Sequence, residues 1–256
     1  MRHGEGYHNV LASEEVALGN TTKPPYHSSN LAKYPDMIDA PLTDVGRREA
    51  WDQRNTTKDF ATNGVEPGLL VVSPLRRATD TGLLALGHLF PKKDGSLVNL
   101  EDEGFSGIVP TIPVVAHDGC RESYSQNNLC DRRRPISTIQ LEYPFISYPM
   151  PKNCDPREAS DYEPEFSEGF EGLAHLGIDG ETADTLVDRC YDFMVSLTQE
   201  MMPEHGVKCC AVATHSVFLF GLTLGVLRFE GGEERKGLFG TGEMRSFRVR
   251  VEKNKN

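Results

Sequence analysis

Three short apolar runs, each ending in polar residues, constrain the fold of this chain most strongly. They are GLLVVSPL (68–75), TIPVVAHD (111–118) and VKCCAVATH (207–215). Runs of this length that are apolar throughout are typical of strands buried on both faces of a sheet. Segments with helical character lie between them, so the pattern predicts an α/β layered fold with a mostly parallel sheet.

The segments between these runs carry helix signals. Thr43 has the chemistry of an N-cap, and the polar stretch from Asp44 to about Phe60 is compatible with a helix. We also expect helices over 76–90, 181–202 and 216–227, the second of them strongly amphipathic. The alternating segment EMRSFRVRV (243–251) predicts an edge strand.

The length and the composition indicate one domain. A chain of 256 residues can bury a sizeable core, and we expect a single domain over 1–256. The region from about 119 to 180 is rich in Pro, Asp, Glu and Ser. We therefore expect a cap-like insertion there, which would shape the choice of ligand.

Charge and hydropathy exclude several classes of partner. With 38 acidic and 27 basic residues the net charge is −11, which argues against a nucleic-acid partner. No apolar run reaches the roughly 18 residues of a membrane-spanning helix, and the start does not resemble a signal peptide. We expect a cytoplasmic protein without a membrane partner, whose cysteines are reduced structural thiols rather than disulfides or zinc ligands.

Reactive side chains follow the predicted strands. Ligands of parallel α/β sheets bind beyond the carboxyl ends of the strands, where this chain carries Arg77, Glu122 and His215. The opening segment MRHGEGYHN adds Arg2 and His3. Guanidinium forks bind phosphate, an imidazole can act as a nucleophile, and a carboxyl group can transfer a proton. This combination suits phosphoryl transfer, while no Gly-rich Lys-Ser/Thr loop for nucleotides occurs.

Each of these residues also has a structural interpretation. His215 is compatible with a satisfied histidine behind a buried strand, and Arg77 with a simple helix start. The run DRRRP (131–135) is typical of a solvated face, with Arg132 a weak candidate for contact with an acidic part of a substrate. Other acids near Glu122 in the sequence are Glu101, Asp102, Glu103 and Asp118.

The order of the motifs resembles the histidine phosphatase superfamily, also called the phosphoglycerate mutase-like family. The motifs are RHGEGYHN, PLTDVGRREA (41–50), SPLRRATDT (73–81), CRES (120–123), VATHSVFL (212–219) and GEMRS (242–246). They span nearly the whole chain and depart from the family at Glu49, where Gln is usual. The resemblance implies a three-layer α/β/α fold and a phosphomonoester hydrolase that forms a phosphohistidine intermediate on a small phosphorylated metabolite, without cofactor or metal. A mutase and an inactive phospho-ligand binding protein are the alternatives.

The same resemblance implies a role for each candidate residue. His3 would be the nucleophile, Glu122 the proton donor to the leaving oxygen, and His215, as an imidazolium, would stabilise the transferring group. Gly4 would let the backbone pass close to the phosphate. The residues that would bind the phosphate are Arg2, Asn9 and Arg77.

The chain departs from the family pattern before its first motif. In the family the RHG motif ends an apolar central strand, whereas only Met1 precedes Arg2 here. We therefore expect the first central strand to be missing, although a central parallel strand satisfies the backbone groups of both its neighbours. The resulting hypothesis is an N-terminally incomplete version of a longer protein, with a degenerate relative as the alternative.

Overall fold

The computed structural model of the protein describes residues 1–19, 33–102, 104–122, 128–149, 182–229 and 238–251. Its centre is a three-stranded sheet of order β2-β1-β3 whose pairs are all parallel. The strands are β1 (Leu70–Val72), β2 (Val114–Ala116) and β3 (Ala211–Ala213). Each lies within one of the three apolar runs, which confirms the predicted parallel α/β fold.

The helices follow the predicted order, with two additions, one directly after the first motif and one within the region 119–180. Thr43 accepts a hydrogen bond from the Gly46 amide at 3.0 Å and is the N-cap of the second helix, as predicted. The helices are α1 (Tyr7–Ala17), α2 (Asp44–Thr62), α3 (Arg76–Ala85), α4 (Ile136–Glu142), α5 (Ala183–Ser196) and α6 (Ser216–Gly221). Helix α5 continues through a π-helical turn (Leu197–Met201) into Met202–Glu204, and α6 continues into a second π-helical turn (Leu222–Val226). Short 3₁₀ turns lie at Pro35–Met37, Gly87–Leu89, Asp118–Cys120 and Leu129–Asp131.

Two apolar clusters cover the two faces of the sheet. Leu70 and Val72 of β1 belong to the first cluster with residues of α3 and α4. Val71 points to the opposite face, where Phe193 of α5 and Phe218 of α6 pack. This alternation follows from the period of two in a strand. The result is a helix–sheet–helix arrangement of three layers.

Residues 1–3 extend the sheet on the outer side of β3. Arg2 forms an isolated parallel bridge with Thr214, and the His3 amide donates to the Thr214 carbonyl at 2.9 Å. On its other side the Arg2 amide donates to the Glu243 carbonyl at 3.0 Å. Among the described residues this isolated bridge stands where the family pattern has its first central strand, and it fixes His3 at the edge of the sheet.

The described part of the expected cap-like insertion packs into the core. Ile139 and Tyr143 are buried in the first apolar cluster, because their spacing of four places them on one face of α4. Ser147 forms a parallel bridge beside β2. These residues therefore extend the core, while the cap-like insertion expected over 119–180 stays a prediction, because residues 123–127 and 150–181 lie outside the described residues.

The edge strand predicted over 243–251 is not formed, and these residues have no regular secondary structure. A strand needs a partner for its backbone groups, and residues 1–3 supply one only near Glu243. Phe247 packs against the second apolar cluster. Met244 packs against the first apolar cluster, so the segment contributes two packed side chains to the core without forming a ladder.

None of the helices in the described part of the chain combines the length and apolarity needed to cross a bilayer.

Candidate active site

His3 lies in the turn between the sheet and α1, and its imidazole is only 1% exposed. Its Nδ1 atom lies 2.6 Å from the carbonyl oxygen of Gly4. Because a carbonyl oxygen can only accept, the proton of the neutral ring belongs on Nδ1, and Nε2 keeps its lone pair. Nε2 is therefore the atom of His3 that can act as a nucleophile.

The turn at Gly4 is pressed against the start of α2. A Cβ atom on Gly4 would lie 2.2 Å from the Gly46 carbonyl oxygen, and one on Gly46 would lie 2.0 Å from that of Glu5. The Gly4 amide donates to the Thr81 hydroxyl at 3.1 Å, which donates to the Arg77 carbonyl at 2.7 Å. Gly4 thus allows backbone packing here, and its approach to a phosphate stays a prediction.

Glu49 fastens the same turn to a distant segment. Its Oε2 atom accepts from the Glu5 amide at 2.7 Å, and its Oε1 atom accepts from the Thr241 hydroxyl at 2.8 Å. A carboxylate offers two acceptor oxygens, whereas a glutamine side chain offers one. A glutamate at position 49, where the motif usually has glutamine, can therefore accept both hydrogen bonds.

Arg77 lies in the first turn of α3 with no exposed surface. Its Nε atom donates to His3 Nε2 at 3.4 Å, while Nη2 donates to Asp131 Oδ1 at 2.9 Å and Nη1 to the Cys130 carbonyl. The guanidinium is thereby held with its Nε edge toward the His3 ring. Burial lowers the pKa of Arg77, but the charge of Asp131 raises it, so that the net pKa lies above its ordinary value and Arg77 stays charged.

His215 directly follows β3 and occupies the N-cap position of α6. It is fully buried, and its ring centroid lies 5.0 Å from that of His3. Its Nε2 atom lies 2.8 Å from the Ser73 hydroxyl, and its Nδ1 atom has no hydrogen-bond partner. The sheet therefore brings the two predicted histidines together.

Both histidines are held in the neutral form. Burial, and after it the charges of Arg77 and Arg2, lowers the pKa of His3 well below its ordinary value. Burial, Arg77 and His3 do the same to the pKa of His215. A buried ring beside a guanidinium resists a second positive charge. The imidazolium form of His215 beside a transferring phosphoryl group stays a prediction.

Glu122 completes the cluster. One candidate ligand atom from each of His3, Glu122 and His215 lies within 4.8 Å of the others. The Glu122 Oε1 atom accepts from the Val217 amide at 3.0 Å, and Arg189 donates to the Glu122 carbonyl at 3.2 Å. The carboxyl group is thus fixed beside the two imidazoles, where proton transfer to a bound ligand is possible.

Two of the alternative acids, Asp102 and Asp118, form ion pairs with other residues. Asp102 pairs with Lys92 at 2.5 Å, and Asp118 pairs with Arg133 at 3.2 Å. Glu103 lies outside the described residues. Among the acids considered from the sequence, Glu122 is the one that the described structure places against both histidines.

The charges around the cluster favour an anion over a metal ion. Two imidazoles and a carboxylate are a donor set that zinc accepts. However, the buried guanidinium of Arg77 lies 3.4 Å from His3 Nε2 and would repel a cation. The same guanidinium is a strong donor for phosphate oxygens.

Arg2 and Asn9 have less direct positions. Arg2 Nη1 donates to the Phe239 carbonyl at 2.6 Å, and Arg2 Nε has no hydrogen-bond partner. The Asn9 Oδ1 atom accepts from the Gly6 amide at 2.9 Å and shapes the turn that leads into α1. Their contacts with a phosphate stay predictions.

The DRRRP run is not the solvated face that its sequence indicated. Arg134 binds Asp39 at 2.8 Å and forms two hydrogen bonds of 2.7 Å with Glu142. Asp131 is 6% exposed and touches Arg77. The positive charge of Arg134 is thus paired with Asp39 and Glu142, which lie outside the run. The contact of Arg132 with a substrate stays a prediction.

Sequence reasoning gave three further neighbours of the site no firm role. His8 is buried with its ring centroid 5.6 Å from that of His3, Ser73 touches His215, and Thr81 links Gly4 to α3. Their position within the motifs RHGEGYHN and SPLRRATDT was the available signal.

Comparison with known proteins gives only structural matches, since no family model and no curated protein matches the chain. A mycobacterial glucosyl-3-phosphoglycerate phosphatase complexed with VO3 is similar over 94% of this chain and 85% of that chain, at 16% identity and a TM-score of 0.46. The ecdysone phosphate phosphatase of Bombix mori, complexed with tungstate, is similar over 98% and 95%, at 14% identity and a TM-score of 0.46. The alpha-ribazole phosphatase of Shigella flexneri is similar over 86% and 73%, at 16% identity and a TM-score of 0.41. These three proteins are members of the histidine phosphatase superfamily.

Proposed function

We propose that this protein is a phosphomonoester hydrolase that acts on a small phosphorylated metabolite through a phosphohistidine at His3. The observation that carries the proposal is the neutral His3, whose Nε2 faces the Arg77 guanidinium at 3.4 Å in a cluster with the buried His215 and the partly exposed Glu122. A neutral imidazole beside a fixed cation can attack an anionic phosphate that the cation binds.

In the first step the phosphate binds at Arg77 with Arg2 as a second cationic group. The lone pair of His3 Nε2 forms a bond to phosphorus while the bond from phosphorus to the alcohol oxygen breaks. Protonated Glu122 gives its proton to that oxygen, so that the alcohol leaves neutral. The Gly4 carbonyl stabilises the Nδ1 proton while positive charge develops on the His3 ring.

In the second step the Glu122 carboxylate takes a proton from a water molecule that attacks phosphorus. The bond from phosphorus to Nε2 breaks, inorganic phosphate forms, and both His3 and Glu122 return to their starting forms. His215 contributes a buried neutral ring, and the negative charge of a bound phosphate raises the pKa of such a ring.

The test compares phosphate release from a panel of phosphomonoesters by the wild type, His3→Gln, Glu122→Gln and the control His205→Gln, in which the altered ring lies outside the site. We expect His3→Gln to abolish release and His205→Gln to preserve it. Glu122→Gln should lower the rate by roughly 10²–10⁴-fold and leave an acid-labile phosphohistidine detectable by ³¹P NMR.

Three outcomes contradict the proposal. If His3→Gln still releases phosphate, His3 is not the nucleophile. An isomerised phosphoester without free phosphate indicates a mutase. Binding of phosphomonoesters without turnover by the folded wild type indicates a phospho-ligand binding protein.

A further inference from the structure

The carboxylate of Asp131 lies against the cation of the proposed phosphate site. Asp131 Oδ1 accepts from Arg77 Nη2 at 2.9 Å, and Oδ2 accepts from the Asn128 side chain at 3.1 Å. The neighbouring Cys130 carbonyl accepts from Arg77 Nη1. The short turn Leu129–Asp131 thus grips one edge of the guanidinium and leaves Nε directed at His3.

Electrostatics makes this contact necessary in the absence of a ligand. Arg77 has no exposed surface, and Asp131 is 6% exposed, so water screens neither charge effectively. A buried guanidinium without an anion is strongly unfavourable. Asp131 supplies that anion, and a phosphate that enters the site must share the same guanidinium with it.

We propose that Asp131 is the resting counter-ion of Arg77, a positioning residue that orients the guanidinium and limits the affinity of the site for phosphate. The proposal rests on the proposed function, because it takes Arg77 as the phosphate ligand. Part of the charge of Arg77 is neutralised before the substrate arrives. The phosphate product is consequently bound less tightly and leaves more readily.

The decisive variant is Asp131→Asn, which keeps the carbonyl oxygen that accepts from Arg77 but removes the negative charge. The matched control is Asp118→Asn, which removes a carboxylate that pairs with Arg133 at 3.2 Å on the same segment. Asp131→Glu retains the charge and is the conservative rescue. Asn128→Asp adds a negative charge beside Asp131 and should change the affinity for phosphate in the opposite direction. It also keeps the proposal testable if Asp131→Asn does not fold.

The measurement is isothermal titration calorimetry with inorganic phosphate, together with kcat and KM for a hydrolysed phosphomonoester. In Asp131→Asn we expect the Kd for phosphate to fall about tenfold, the scale on which a neighbouring charge acts, and kcat to fall with it because the product leaves slowly. Asp118→Asn and Asp131→Glu should stay within about twofold of the wild type. Asn128→Asp should raise the Kd.

The outcomes separate this inference from the function on which it rests. An unchanged or weaker Kd in folded Asp131→Asn, with hydrolysis by the wild type, overturns the counter-ion role alone. If Asp131→Asn does not fold, an unchanged or lower Kd in Asn128→Asp overturns it equally. Tighter binding without hydrolysis by any variant overturns the proposed function alone, and absence of phosphate binding in every variant overturns both.

Discussion

At the scale of single residues, the site depends on where a few protons are held. The Gly4 carbonyl fixes the His3 proton on Nδ1, and Arg77 points an N–H group at the lone pair on Nε2. A phosphate oxygen can accept a hydrogen bond from that N–H group and would then lie beside the Nε2 atom of His3. Cys130 and Asp131 hold the guanidinium in this orientation, so its shape matters as much as its charge.

A lysine should not replace this guanidinium. Arg77→Lys keeps the positive charge, but one ammonium group cannot contact Cys130 and Asp131 while it also faces His3. We expect kcat/KM for phosphomonoester hydrolysis to fall roughly 10²–10³-fold, the range seen when one fixed donor to a transition state is lost. The control is Arg76→Lys, at a half-exposed neighbour that pairs with Asp80. Wild-type kinetics in Arg77→Lys would contradict the assigned role.

At the scale of elements, the start of α2 and the turn at Gly4 form one packed unit. Gly46 lies in the first turn of α2, where its amide donates to Thr43 and its Cα faces the backbone of Glu5. Any side chain at Gly46 must push the helix away from the turn. The position of His3, the proposed nucleophile, is therefore set partly by a helix that contributes no group to the proposed chemistry.

Gly46→Ala tests this coupling. The added Cβ would lie 2.0 Å from the Glu5 carbonyl oxygen, so α2 or the turn must move. We expect the free energy of unfolding to fall by about 1–3 kcal/mol, with a loss of kcat in the protein that remains folded. The control is Gly107→Ala, where an added Cβ meets nothing within 4 Å. Urea unfolding and steady-state kinetics measure both effects, and an active, fully stable Gly46→Ala would refute the coupling.

The positions of the helices and strands could be predicted from the sequence better than the segments with which they pair or pack. Apolar runs mark β1, β2 and β3 because strands buried on both faces need them, and the residues after these strands meet for topological reasons. The alternation over 243–251 could not show that a pairing strand is absent there. Nor could the DRRRP run show that Asp131 is buried, because Arg77, which buries it, lies 54 residues away.

At the scale of the whole molecule, three buried histidines make stability depend on pH. Burial is the largest cause of the lowered pKa values of His3, His8 and His215, and nearby cations lower them further. The unfolded chain therefore binds more protons than the folded protein below a pH of about 6.5. Their contribution to stability is complete above that pH and is lost as the pH falls toward the lower folded values.

Asp80 acts in the opposite direction but is outnumbered. Burial raises its pKa to about 6, so its contribution to stability is present at low pH and is lost as the pH rises through about 6. Asp39, whose pKa burial also raises, acts in the same direction as Asp80, but burial lowers the pKa values of His88 and His117 as well. Five histidines against two carboxyl groups leave a net loss of stability on acidification, so we expect the free energy of unfolding to fall between pH 7.5 and 5.5.

Urea unfolding at a series of pH values measures this slope. His8→Gln should make the slope shallower by about one proton, because the buried His8 ring no longer contributes. A free energy of unfolding that is constant between pH 7.5 and 5.5 would contradict the neutral, buried state of these rings.

The bridge between residues 1–3 and the segment after β3 also has a consequence for the order of folding. Met1 and Val212, which a hydrogen bond joins, are 211 residues apart in the chain. Contacts of such high sequence separation close slowly compared with the local turns of a helix. His3 should therefore reach its place late in folding, after the helices have formed. Recovery of hydrolysis on dilution from urea should lag behind recovery of far-ultraviolet circular dichroism. The rate at which hydrolysis returns would then measure the rate of the final step of folding.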